Sequence, residues 1–237
     1  MTPRVRAVLA VSVLALLIGG VSLYTVLTDE ITGTVRSTES SEFESVPIEG
    51  PDGGTYAFMS TQPGTDDVPV TYDPCQTIRI VVNPDRAPRN ADEILDDALE
   101  RMEETAGLQF RVDGTTDADP LSTDAGDAGD RPPVQISWSD AETVPDLEGD
   151  VAGLGGSTWI EEDGFRQYVT GIVVLDAEDL DDLGEDLTRT VLLHELGHLV
   201  GLAHVDDRDE LMHPYGDLPD WGPGDLAGLA ALGGTCD

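Results

Sequence analysis

Lysine is absent from the 237 residues: every one of the 12 basic residues is an arginine, set against 48 acidic ones, for a formal net charge of -36. A soluble part so poor in positive charge has little with which to hold phosphate backbones or anionic lipid, so nucleic acid is excluded as a partner. Cysteine is nearly absent too, with only Cys75 and Cys236. Histidine occurs four times, and all four lie between His194 and His213. No internal repeat interrupts the chain. The acidic runs Asp66-Asp67, Asp181-Asp182 and Asp206-Asp207 read as a solvated face. None has the spacing of an oxygen-ligand loop, which leaves Ca²⁺ as a second cation the composition admits without assigning it a site.

What is present divides the chain in three. Arg4 and Arg6 precede an apolar run from Ala7 to Leu27, so residues 1–28 read as a signal peptide or an N-terminal membrane anchor. Either places the bulk of the chain outside the cell, secreted or anchored, and touching the membrane only through that segment. Residues 29–69, rich in Ser, Thr, Glu, Gly and Pro, read as a flexible linker. Residues 70–237 then form one domain, long enough for a hydrophobic core. In an exported chain an even cysteine count favours a disulfide, here Cys75 to Cys236, tying together the ends of the domain. In the chain-entropy model that closure is worth about 4–5 kcal/mol.

Within the domain, Gln76 to Pro84 alternates and is β-branched, as a strand requires. Residues 91–107 place Ile94, Leu95, Ala98, Leu99 and Met102 on one helical face and end at Gly107. Residues 108–114, 134–140 and 172–175 read as further strands. Residues 117–133 read as an acidic loop, and 149–164 as a glycine-rich stretch with a short β-like end. The order of elements predicts an α+β fold, an α/β-like mixed and mostly parallel sheet with helices packed against it.

The stretch from Asp186 to Gly201 reads as an amphipathic helix of about four turns. It carries His194 and His198 four residues apart on one face, the spacing that lets two imidazoles bind one Zn²⁺ while Glu195 faces a metal-bound water. Gly201 can end the helix in a left-handed turn, so that His204 returns as a third ligand. Three protein ligands with a fourth position for water describe a catalytic site. Glu195 is then the general base and zinc polarises the scissile carbonyl. The plain alternative is a set of histidines satisfied by hydrogen bonds on an ordinary helix.

The pattern His194-Glu195-x-x-His198-x-x-Gly201-x-x-His204 resembles the extended motif of the metzincin zinc metalloproteases. The following "DELMHPYGD" offers Met212 for the family's methionine turn, which packs beneath the histidines. Within that family the spacing is most similar to the matrixins, the matrix metalloproteinase-like catalytic domains. Asp225, Gly228 and Leu232 likewise fit the group's final helix. The likeness spans Pro74 to Gly234 and is strong from His194 onward.

The resemblance implies a zincin-like domain with one catalytic zinc, since no further histidines remain for a second. It also implies a protein or peptide substrate extended along an edge strand, for which "GLGGSTWIE" is the candidate. A pocket would form between the helix and Leu211 to Trp221. Tyr215 and Pro214 are candidate substrate-site residues, and His213 is expected at the solvent or the groove rather than on the metal. Val205 stands where the group commonly has serine. Cys75 lacks the sequence around the group's latency cysteine, which favours the disulfide. The expectation is an exported, monomeric zinc endopeptidase, EC 3.4.24-like. A non-catalytic extracellular metal-binding interaction module is the first alternative, and an acidic calcium-dependent surface protein the second.

Overall fold

A computed structural model describes residues 36–37, 45–123, 131–178, 180, 184–215 and 218–234. The expected signal or anchor segment and Cys236 lie outside the described residues, within which no helix is long and apolar enough to cross a membrane. Along the chain run β1 (Arg36–Ser37), β2 (Ile48–Glu49), β3 (Thr55–Phe58), β4 (Ile78–Asn83), α1 (Ala91–Ala106), β5 (Phe110–Thr115), β6 (Val134–Ser139), β7 (Gly153–Glu162), β8 (Phe165–Asp176), α2 (Glu185–Val200), β9 (Leu202–Ala203) and α3 (Pro223–Leu232).

The main sheet has the order β1-β7-β8-β6-β4-β5. β5, β4, β6 and β8 are mutually parallel, whereas β7 turns back antiparallel to β8. The fold is thus the expected α+β one. In β4 the alternation holds, with Ile78, Ile80 and Val82 buried and Arg79 exposed. In α1 the spaced residues Ile94, Leu95, Ala98, Leu99 and Met102 are buried. Gly107, at φ 69°, closes that helix by donating its N–H to the Glu103 carbonyl at 3.0 Å.

Three features differ from what the sequence suggests. The glycine-rich stretch is a full strand, β7, joined to β8 by a two-residue turn in which Asp163 and Gly164 have φ of 52° and 82°. Positive φ at both positions matches the strand twist, and the Asp-Gly pair is the signal for it. Second, α2 is not amphipathic over its functional half: every residue from Thr190 to Val200 is buried. It lies between β7 and β8 on one side and α1 and α3 on others, so apolar residues are required all round. Burying Leu192, Leu193, Leu196 and Leu199 completely contributes about 1.5–3 kcal/mol each.

Third, the segment expected as a linker over 29–69 is folded from residue 45 onward. β2 pairs with β3, and β3 pairs with β9 directly after α2. Gln62 stands in for a strand neighbour, accepting from the Arg166 N–H at 2.8 Å and donating to its carbonyl at 2.7 Å. Ala57 and Val70 are fully buried. Polar composition hid this, because the segment is held mostly by backbone hydrogen bonds, which any residue type can supply.

Candidate metal centre

The helix brings His194 and His198 to one face, and the chain then reverses at Gly201, whose φ of 123° suits glycine alone. Its N–H donates to the carbonyls of Gly197 and His198, both at 3.1 Å, so the helix ends cleanly and His204 returns toward its own ligand partners. The Nε2 of His204 lies 3.0 Å from that of His194 and 3.1 Å from that of His198.

The other ring nitrogens decide what these contacts mean. His194 donates through Nδ1–H to the Leu211 carbonyl, and His198 through Nδ1–H to the Leu202 carbonyl, each at 2.8 Å. Both neutral rings therefore present an Nε2 lone pair inward. At most one proton on His204 could sit among three converging nitrogens, whereas one cation satisfies all of them. Tetrahedral zinc at about 2.0–2.1 Å from each nitrogen sets them about 3.3 Å apart, close to what is observed. The donor set fits zinc, and it is the one converging cluster of metal-binding side chains among the described residues.

Burial keeps the three imidazoles neutral. Desolvation carries His194 down to about 3 and His198 to about 4, and holds His204 well below its ordinary value. Neighbouring imidazoles push the same way at His194 and His204. Glu195 is fully buried, neither carboxyl oxygen receives a hydrogen bond from the protein, and desolvation raises it to about 8. A buried carboxyl without a protein partner, in the helix turn that carries two of the three convergent imidazoles, is chemically able to exchange a proton with a group bound there.

β7 forms the wall beside it. A side chain at Gly153 would press on the Glu195 Cγ, and one at Gly155 would collide with the Glu195 backbone carbonyl. Glycine at 155 lets strand and helix backbones touch, and glycine at 153 leaves room for the Glu195 side chain. Below the ligands, Met212 is 1 % exposed, and its sulfur lies under Gly197, where a side chain would strike it. His213 is buried rather than solvent-facing. Its Nδ1 accepts the Tyr215 N–H at 3.1 Å, and its Nε2 lies 3.8 Å from Asp206. It does not join the three-histidine cluster. Pro214 is partly buried and Tyr215 is half exposed. Val205, buried, donates its N–H to the Met212 carbonyl at 3.2 Å.

Two carboxylates that sequence reasoning did not place in the centre hold its lower edge. Asp225 accepts from Leu211 N at 2.5 Å, Met212 N at 3.4 Å and Gly222 N at 3.0 Å. Burial raises it to about 7, against the pull of those backbone donors. Glu210 accepts from Gly224 N and Asp225 N, each at 2.9 Å. The available signal was an acid directly before the apolar Leu211-Met212 pair, where a surface turn has no need of one. Cys75 is not a free thiol.

The matrixin profile of peptidase family M10 matches residues 75–221. The chain belongs to the matrixin family. As a matrixin it is a zinc metallopeptidase, and the three histidines lie within the matched segment. Among solved structures it is similar to the archaemetzincin of Methanopyrus kandleri, at 17 % identity over 65 % of this chain and 93 % of that one, with a TM-score of 0.41. It is also similar to metalloproteinase-II of Bacteroides fragilis, at 14 % identity over 78 % of this chain and 54 % of that one, with a TM-score of 0.37. No curated protein matches this matrixin.

Proposed function

We propose that this matrixin is an exported endopeptidase that cleaves proteins or peptides, with His194, His198 and His204 holding one zinc and Glu195 as the proton-transferring base. The observation that carries the reading is the pairing of three convergent imidazole lone pairs with a buried carboxyl that no protein group engages. Bound zinc supplies Lewis-acid polarisation of the scissile carbonyl and acidifies water. Glu195 takes the proton from the attacking water and delivers it to the leaving amine nitrogen. Burial alone favours the protonated carboxyl, and a cation beside it favours the ionised form, which is the form that accepts a proton.

The substrate lies extended along the outer edge of β7, adding a strand as peptides do at exposed sheet edges. Among the described residues β1 pairs there with Thr158 and Trp159 alone, and the Gly153 end abuts Glu195. Tyr215, half exposed beyond the methionine turn, contacts the substrate, and Pro214 shapes that wall. Export rests on Arg4, Arg6 and the apolar run behind them, and a disulfide from Cys75 to Cys236 on the absence of a free thiol at Cys75. The enzyme works as a monomer.

The test compares the full chain with Glu195→Gln for zinc content and for cleavage of a peptide library, with and without chelator. One zinc in each, with chelator-sensitive cleavage only in the wild type, is expected. Zinc in both and cleavage in both would remove Glu195 from its role, and cleavage in neither would favour the binding-module reading.

A further inference from the structure

The two helix-borne ligands are aimed by carbonyls on separate loops. His198 donates to Leu202, just after α2, and His194 to Leu211, in the methionine turn. Besides their contacts with α2, each loop has a second support, and one short stretch upstream of the family-matched residues contacts both supports.

At the first loop, β3 pairs Phe58 with Leu202 and Ala57 with Ala203, and Met59 donates its N–H to the Gly201 carbonyl at 2.8 Å. The residue whose carbonyl orients His198 is thereby fixed in a two-strand ladder, and His204 follows two residues after Leu202. At the second loop, Asp225 holds the Leu211 and Met212 amides. Asp225 is in turn anchored through its own N–H by Glu210, which also takes the Gly224 N–H. Glu210 is fully buried, its charge offset by two backbone donors at the start of α3, where the helix dipole favours an anion. Gly54 closes over it: a side chain there would collide with the Glu210 carboxylate, and one at Gly224 would collide with the Thr55 backbone. Residues 54–59 therefore pack on the methionine-turn support at one end and on the ligand loop at the other.

We propose that residues 54–59 are a positioning element of the zinc centre and that Glu210 is a positioning residue through which it acts on His194. The first support aims His198 and His204, and the second aims His194, so loosening either spreads the three nitrogens. Partners beyond the ligands characteristically contribute 10- to 100-fold in metal affinity. The proposal rests on zinc occupying the three histidines, which the wild type reports in the same experiment.

The experiment uses the full chain. Met59→Pro deletes the N–H donated to Gly201, and Glu210→Gln keeps the shape while turning one acceptor into a donor facing backbone N–H. Leu108→Ala, a buried core change away from the centre, is the control for general destabilisation. Zinc affinity is measured by competition with a chromophoric chelator, and ligand geometry from the visible bands of the Co²⁺-substituted protein. The expected result is roughly 10- to 100-fold weaker zinc binding and shifted Co²⁺ bands in both variants, with neither change in the control.

Coupling is reciprocal, so zinc should also slow hydrogen exchange at the Met59 amide in the wild type. That arm decides the matter if either variant fails to fold. Wild-type affinity and Co²⁺ bands in both folded variants, or Met59 exchange indifferent to zinc, would overturn the proposal. Absence of stoichiometric zinc in the wild type would instead overturn the metal reading beneath it.

Discussion

The three ligands come from one short stretch of chain, His194 to His204, whereas the groups that hold that stretch in place come from residues 54–59, Glu210, Asp225 and β7. The first region is organised by side-chain identity at fixed spacing, the second mostly by backbone contact. A change in the first should remove chemistry while leaving the fold. A change in the second should alter stability and metal affinity together, because supports act on geometry.

The largest effect expected is at Glu195. Glu195→Gln should retain zinc and lose about 10²- to 10⁴-fold in kcat, measured by steady-state peptide hydrolysis. If its melting temperature fell as far as that of a core variant, the division between the two regions would be wrong. Gly155→Ala tests the other side. Its new methyl group meets the Glu195 backbone, so about 1–3 kcal/mol of stability should be lost, with weaker zinc binding, in denaturant titration and chelator competition. Asp225→Ala leaves the Leu211 and Met212 amides without their acceptor and should cost about 1–3 kcal/mol.

The pH response sharpens the contrast, because both regions carry raised acids. Glu195 rises from 4.5 to about 8 and Asp225 from 3.8 to about 7. The folded state thus keeps protons that the unfolded chain releases, and stability of the zinc-free protein falls as pH rises through these intervals. The histidines act oppositely. Lowered from 6.5 to about 3 and 4 at His194 and His198, they contribute stability that is lost as pH falls below 6.5. Above pH 6.5 the acids dominate, so the melting temperature of chelated protein should drop between pH 6.5 and 8, and drop less in Glu195→Gln. Smallest of all, Arg101→Gln breaks a partly exposed pair with Asp220 and should cost about 0.2–1 kcal/mol, with zinc affinity unchanged.

The unequal legibility of the two regions has the same origin. The histidine pattern could be read directly because ligation demands rare residue types at helical spacing. The mixed, mostly parallel sheet with packed helices followed from alternating strands such as β4 and the helical face of α1. The residues alone showed only a short β-like end in β7 because Gly153 and Gly155 lack the side chains that mark a strand, and α2 passes close to both. The surroundings of α2 were misjudged for a related reason. His194, Glu195 and His198 gave it a polar stripe that resembles a solvent face, yet those residues are buried in the interior. The segment from residue 45 to 69 resembled a linker because its attachment to β9 consists of main-chain bonds, which leave no trace in composition.

The backbone contact between Gly155 and Glu195 limits how this enzyme could be re-engineered. In the proposed binding mode the distance from a strand on β7 to Glu195 depends on two main chains in contact, and any addition at Gly155 forces it wider. Selectivity would then be altered elsewhere, chiefly at Pro214 and Tyr215 beyond the methionine turn. Libraries directed at new substrates would do best to randomise those positions and leave the glycines untouched.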